Sequence, residues 1–269
     1  MTAARVIAAT KLNLALHVRA RRPDGRHAIE TLFAFCSDGD RLSAVAAEDL
    51  GLTTSGPFAA ELPETEDNLV IRAARLLAEV AEVTAGAAIT LDKQLPVTAG
   101  VGGGSADAAA ALRLLTGLWG IDPRHAEQVA PALGSDVPAC LLSLTARGEG
   151  AGDALTAVAM PELAGLPVLL INPRVRLSTA EVFARWDGVD HGPLDEWRMG
   201  RNDLEAPAQA LVPQVSAVLA WLGTRPGANF VRMSGSGATC FAIFDDDALR
   251  DLAADSVPRE WWRLATHLR

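Results

Sequence analysis

The stretch PVTAGVGGGSADAAAAL, residues 96–112, carries more of the chain's meaning than any other. Gly100, Gly102, Gly103 and Gly104 stand just ahead of an alanine-rich run, and Ser105 is the expected N-cap of a helix over 105–118. Glycine permits positive φ and lets backbone approach a ligand closely, while a helix N-terminus offers unpaired amides and partial positive charge. Together these features suit a cradle for a phosphate chain. Ala108 to Ala111 keep the helix slim, so it can pack close to the loop. Familiar phosphate loops do not fit. A Walker A loop needs a Gly-Lys pair, which the chain lacks, and the dinucleotide pattern GxGxxG fails because Ser105 replaces its third glycine. The HRD and DFG signatures of protein kinases are also missing. Alone, the stretch fits either a phosphate cradle or a flexible glycine hinge before a helix.

Working upstream, residues 87–91 read as a short strand, and the apolar spacing over 68–84 predicts a helix. Residues 12–18 (LNLALHV) alternate strictly, which predicts a half-buried strand with Lys11, Asn13 and His17 on its polar face. That face is either solvated or a ligand wall. The turn-rich RRPDGRH (21–27) leads to a second strand at 28–36. Downstream, a helix near 124–133 ends at Gly134, and the loop LGSDVP places Asp136 between a helix end and a proline. Residues 145–154 (TARGEGAGDA) are glycine-rich and apolar-poor, the best candidate for a link between two halves.

The second half opens with a strand at 166–171, followed by the capping box Ser178-Thr179-Ala180-Glu181, which starts a helix carrying Phe183. A helix near 213–222 and strands at 229–233 and 239–244 follow, the strands separated by SGSGA (234–238), with a last helix from about 246. By itself SGSGA is a hairpin turn or a second ligand loop. Strands and helices mix without a regular βαβ rhythm, which predicts the α+β class.

Composition narrows the partners. The 269 residues carry a net charge of −9, are 49% hydrophobic and 21% charged, and include no tyrosine. That is globular composition, and an acidic body without a basic stripe argues against nucleic acid. Cys36, Cys140 and Cys240 are far apart in apolar surroundings, so neither a disulfide framework nor a zinc site is expected. No apolar run is long enough to span a membrane. A soluble cytoplasmic protein, monomeric or homodimeric, is expected.

Taken in order, these pieces resemble the GHMP kinase superfamily. Its phosphate loop, PxxxGxGxSSA, is matched by Pro96 to Ala106, and its C-terminal glycine motif by MSGSGATCFAIF, 233–244. ATKLNLALHVRARRPDGRH, LGSDVP and NDLEAPA (202–208) narrow the likeness to members acting on a cytidine diphosphate conjugate of methylerythritol.

The resemblance implies an α+β architecture of two domains, here 1–152 and 153–269, with the active site in the cleft between them. It implies transfer of the ATP γ-phosphoryl group to the C2 hydroxyl of that conjugate, with Mg²⁺ carried by the nucleotide; the sequence shows no obvious carboxylate cluster for that metal. Asp136 would take the hydroxyl proton, Lys11 would hold that carboxylate ionised, and Asn13 would orient the acceptor. Pro96, Val97, Thr98, Ala99, Gly100, Val101, Gly102, Gly103, Gly104, Ser105 and Ala106 would surround the phosphates, with Asn68 and Lys93 near the adenine. His27 would read the cytosine edge and Phe183 would stack on the ring. One departure stands out: the family motif usually reads RPDGYH, and Arg26 occupies the tyrosine position. A guanidinium plane can stack on a base, or it can reach a phosphate. Another superfamily kinase, of homoserine or mevalonate type, and a non-catalytic nucleotide or sugar sensor are the alternatives.

Overall fold

A computed structural model describes residues 4–62, 67–84, 86–97 and 100–269. The chain forms two compact units that interleave in sequence. The first comprises residues 1–10, 38–97 and 102–143, the second 11–37, 98–101 and 144–269. Two long strands, β1 (Ala4–Arg21) and β2 (His27–Ala47), contribute residues to both units.

In the first unit, β3 (Leu50–Ser55) runs parallel to β4 (Gly86–Asp92), and β4 pairs antiparallel with Arg41–Ala47 of β2. The crossover between the parallel strands contains α1 (Leu69–Val80), because parallel neighbours need a long connection. Asn68 caps α1, its side chain accepting from the Val70 amide at 2.9 Å, and Val70, Ile71, Ala74 and Leu77 face the core. The central helix, α2 (Gly103–Trp119), is buried along Ala106–Leu112 and packs on α1, on α3 (Arg124–Leu133) and on α4 (Val137–Leu142). The expected cap is displaced: α2 starts after Gly102, not Ser105. Gly102 takes a left-handed conformation (φ 66°) and its carbonyl accepts the Ala106 amide at 2.7 Å, so the turn into the helix needs no side-chain cap.

In the second unit, a four-stranded antiparallel sheet has the order β10 (Trp262–His267), β7 (Pro167–Asn172), β9 (Cys240–Phe244), β8 (Ala228–Met233). It packs against α7 (Pro213–Gly223) and α8 (Asp247–Asp255), with α6 (Glu205–Leu211) laid on α7. Leu169, Ile171, Val215, Val218, Leu222 and Phe244 form the centre of its core.

Three expectations change. Residues 145–154 are not a link. They hold β5 (Ala146–Glu149) and the turn to β6 (Ala154–Ala157), an antiparallel pair, with Gly150 and Gly152 supplying the positive φ that a tight reversal needs. The strand over 12–18 is longer than expected and is buried on both faces, so Lys11, Asn13 and His17 are enclosed. Strands β3 and β10 were not expected at all.

Candidate active site

The two glycine motifs meet at Gly100 and Gly237. Gly100 has φ 73°, and a Cβ added there would lie 2.2 Å from the Gly237 carbonyl oxygen. Nothing larger than glycine fits. Val101 is buried, and its carbonyl accepts the Lys11 amide at 3.1 Å. Pro96 is buried and Val97 half-buried, whereas Thr98 and Ala99 lie outside the described residues. Gly103, Gly104 and Ser105 form the first turn of the 17-residue α2, whose leading amides lack intrahelical acceptors. Ala106 closes that turn and is buried. This backbone suits an anion.

Lys11 and Asn13 point to the same side of β1, as their spacing of two requires. The Lys11 ammonium donates to Asn13 Oδ1 at 3.0 Å and lies 4.8 Å from the centroid of the Phe33 ring. Asn13 Nδ2 donates to Thr31 Oγ1 at 2.8 Å, and Thr31 in turn donates to the Ala15 carbonyl at 2.6 Å. The Asn13 amide also donates to Ser234 Oγ at 3.2 Å, which ties the strand to the SGSGA loop. These bonds fix which end of the Asn13 carboxamide faces the lysine. Asp136 stands in the other unit, half-buried at the N-cap position of α4.

His27 and Phe183 come together as a ring pair. Phe183 lies on α5 (Thr179–Ala184), which starts at Ser178 as the capping box predicts, the Ser178 hydroxyl accepting from the Glu181 amide. The ring centroids are 4.7 Å apart with planes inclined by 31°. Trp186, which sequence reasoning missed, meets His27 edge-on at 5.7 Å, and its placement three residues after Phe183 was the available signal. His27 Nε2 is buried without a hydrogen-bond partner, and burial first, then the nearby Arg21 charge, lowers its pKa. The ring is therefore neutral near pH 7, with one nitrogen to offer. Arg26 projects outward, its side chain 60% exposed and its Nε 3.4 Å from Asp24 Oδ2.

Lys93 and Asn68 are both buried, and Asn68 Oδ1 caps α1. Lys93 is 1% exposed, and its ammonium donates to Asp40 at 2.5 Å and to Asp107 at 2.7 Å. Burial disfavours the lysine charge, but the two carboxylates outweigh it and hold the pKa above its usual value. Burial pushes Asp107 up to about 7, against the pull of Lys93. Among the described residues no group of three His, Cys, Asp or Glu gathers as a metal site.

A fold of this kind, with a glycine cradle at a helix N-terminus and a second glycine motif against it, defines a GHMP-type kinase. The sequence model of the GHMP kinases N terminal domain matches residues 68–143, and that of the GHMP kinases C terminal domain matches 190–264. The chain belongs to the family of 4-diphosphocytidyl-2-C-methyl-D-erythritol kinases. It is 53% identical to the enzyme of that name from Rhizorhabdus wittichii, over 98% of this chain and 94% of the relative. It is 47% identical to the one from Novosphingobium aromaticivorans, over 98% and 93%. A solved 4-(cytidine 5'-diphospho)-2C-methyl-D-erythritol kinase superposes with a TM-score of 0.86 at 33% identity, covering 98% of this chain and 99% of that one. A mevalonate kinase from Methanococcus jannaschii shares the fold at TM-score 0.71 with 7% identity, over 100% and 98% of the two chains. No helix among the described residues is long and apolar enough to cross a membrane.

Proposed function

We propose that the chain transfers the γ-phosphoryl group of ATP to the C2 hydroxyl of 4-diphosphocytidyl-2-C-methyl-D-erythritol. The product is the 2-phosphate, an intermediate of the non-mevalonate route to isoprenoid precursors. The observation that carries this reading is the near-complete overlap with kinases of that name, at 53% and 47% identity. The His27–Phe183 pair supports it independently, since a nucleobase is recognised by an aromatic face and a ring-edge hydrogen bond.

Phosphoryl transfer needs positioning and charge stabilisation more than covalent help. The amides from Gly100 to Ser105 hold the phosphates, with Pro96 and Val97 at the entry to that loop. Asn68 and Lys93 shape the adenine side from behind. Mg²⁺ bound with the nucleotide would neutralise phosphate charge, beside the amides of the glycine loop. Asp136 takes the proton of the acceptor hydroxyl. A tertiary alcohol is a weak acid, so the carboxylate gains most as the phosphoryl group arrives and acidity rises. Lys11 stabilises the developing charge, and Asn13 orients the hydroxyl. His27 reads the cytosine edge, Phe183 stacks on its face, and Arg26 contributes its guanidinium at the rim.

The direct check is ³¹P NMR of the product formed from ATP and the cytidylyl conjugate. A new phosphomonoester resonance coupled to the C2 position is expected. Phosphate appearing on another hydroxyl, or free phosphate alone, would refute the assignment.

A further inference from the structure

We propose that Asp40 is a positioning residue for the nucleotide, a single buried carboxylate that holds both ends of the phosphate loop. The proposal rests on that loop binding ATP, as argued above. Asp40 is fully buried near the middle of β2, far from the loop in sequence, and each of its oxygens has a separate task. Oδ1 accepts the backbone amides of Gln94 and Leu95, at 2.5 and 2.8 Å, and so fixes the chain just before Pro96. Oδ2 accepts from Lys93, whose ammonium also donates to Asp107 Oδ2 in the second turn of α2. One side of the loop is thus held directly and the other through the lysine.

The geometry at Gly103 shows how closely this device sits under the loop. A Cβ added to Gly103, the first residue of α2, would lie 3.2 Å from Lys93 Nζ, 3.9 Å from Asp40 Oδ2 and 3.9 Å from Leu95 Cβ. The ammonium therefore lies against the helix start, behind the amides that would face phosphate. Two carboxylates there would oppose an anionic ligand, and Lys93 offsets them. The two acids are not equivalent. Asp40 accepts three N–H donors, whereas Asp107 has one oxygen buried without a partner. A neutral Asp107 costs the network little, and its raised pKa agrees with that. A neutral Asp40 loses the acceptor strength on which the loop's entry and the lysine both depend.

The two acids can be compared by equilibrium ATP titration, with steady-state kinetics alongside. Asp40→Asn is expected to weaken ATP binding at least about tenfold, the effect of losing roughly 1.4 kcal/mol of charge-assisted hydrogen bonding. Its KM for the alcohol substrate should stay within about twofold of wild type, since only the nucleotide side is displaced. Asp107→Asn should leave ATP binding within about threefold, because it copies the protonated acid. If Asp40→Asn does not fold, the double variant Asp40→Asn/Lys93→Met removes both charges together and should show the same loss of ATP binding. A folded Asp40 variant that binds ATP as wild type does, with only a lower Tm, would overturn the proposal. So would equal rises in both KM values, or an Asp107→Asn defect as large as that of Asp40→Asn. Wild-type turnover in the same assay tests the functional reading separately, so failure of one is distinct from failure of the other.

Discussion

His27 stacks at a tilt on Phe183, ring centroids 4.7 Å apart, while its Nε2 remains buried and without a partner. An aromatic face beside an unpaired ring nitrogen is the minimum needed to hold a pyrimidine. Phe183→Ala should raise KM for the cytidylyl substrate by about five- to 150-fold, from the roughly 1–3 kcal/mol of base stacking that is lost. The KM for ATP should not change. Parallel steady-state titrations of the two substrates check this, and equal effects on both would remove Phe183 from the cytidine pocket.

Asp136 and Lys11 are assigned to the chemical step. Asp136→Asn should lower kcat by about 10²- to 10⁴-fold, the range for a lost general base, with ATP binding near normal. Lys11→Ala should also reduce kcat more than KM. Because the lysine ammonium also holds Asn13 Oδ1, that variant should raise KM for the alcohol modestly as well. Rapid-quench measurement of the phosphoryl-transfer rate separates these effects from product release. Unchanged transfer in Asp136→Asn would exclude it as the base.

Gly100→Ala tests the meeting of the glycine motifs. The new methyl would clash with the Gly237 carbonyl at 2.2 Å, and φ of 73° disfavours any side chain. Gly100 and the 234–238 segment must shift to relieve the clash. A loss of at least about 2 kcal/mol in stability is expected, along with weakened ATP binding, which urea unfolding and nucleotide titration would measure. Wild-type behaviour in both would mean that the two motifs are not in contact.

His17 gives the fold a pH dependence. Its Nε2 accepts the Arg201 amide at 3.1 Å, so the proton sits on Nδ1, facing the Gly192 carbonyl at 3.0 Å. Burial lowers its pKa below 6.5, and the Arg201 charge adds to this, against the Gly192 bond. The unfolded chain therefore binds more protons in this window, and stability falls as pH drops from about 6.5 through the folded pKa. Asp107, with its pKa raised to about 7, acts in the opposite sense, so the informative quantity is a difference between proteins. The gap in urea midpoint between wild type and His17→Gln should narrow on acidification. A gap that is constant with pH would show that His17 does not titrate there.

Much of the fold is legible where local chemistry decides it. The glycine run followed by alanines could hardly be anything but a loop opening a slim helix, and the capping box at Ser178 lies where it was expected. Long-range contacts left no such signal. Asp40 touches Lys93 and Gln94 across more than fifty residues, and SDGD reads locally as an ordinary turn. The alternation of residues 12–18 reported one apolar face correctly but could not say what covers the other, so the burial of Lys11, Asn13 and His17 emerged only in three dimensions. Glycines at 150 and 152 marked a reversal of the chain and were misread as a link, since both need the same backbone freedom. In β10 the alternating Trp262, Leu264 and Thr266 carried a readable strand signal that was passed over. The missing tyrosine pointed to position 26, where Arg26 turns to Asp24 at the surface.

The central claim is the identity of the phosphoryl acceptor, and a single assay tests it: ATP consumption by the wild-type protein with the cytidylyl-methylerythritol conjugate, homoserine or mevalonate. Rapid ADP formation is expected with the conjugate, and none above background with the other two. Turnover of homoserine or mevalonate without turnover of the conjugate would contradict that claim.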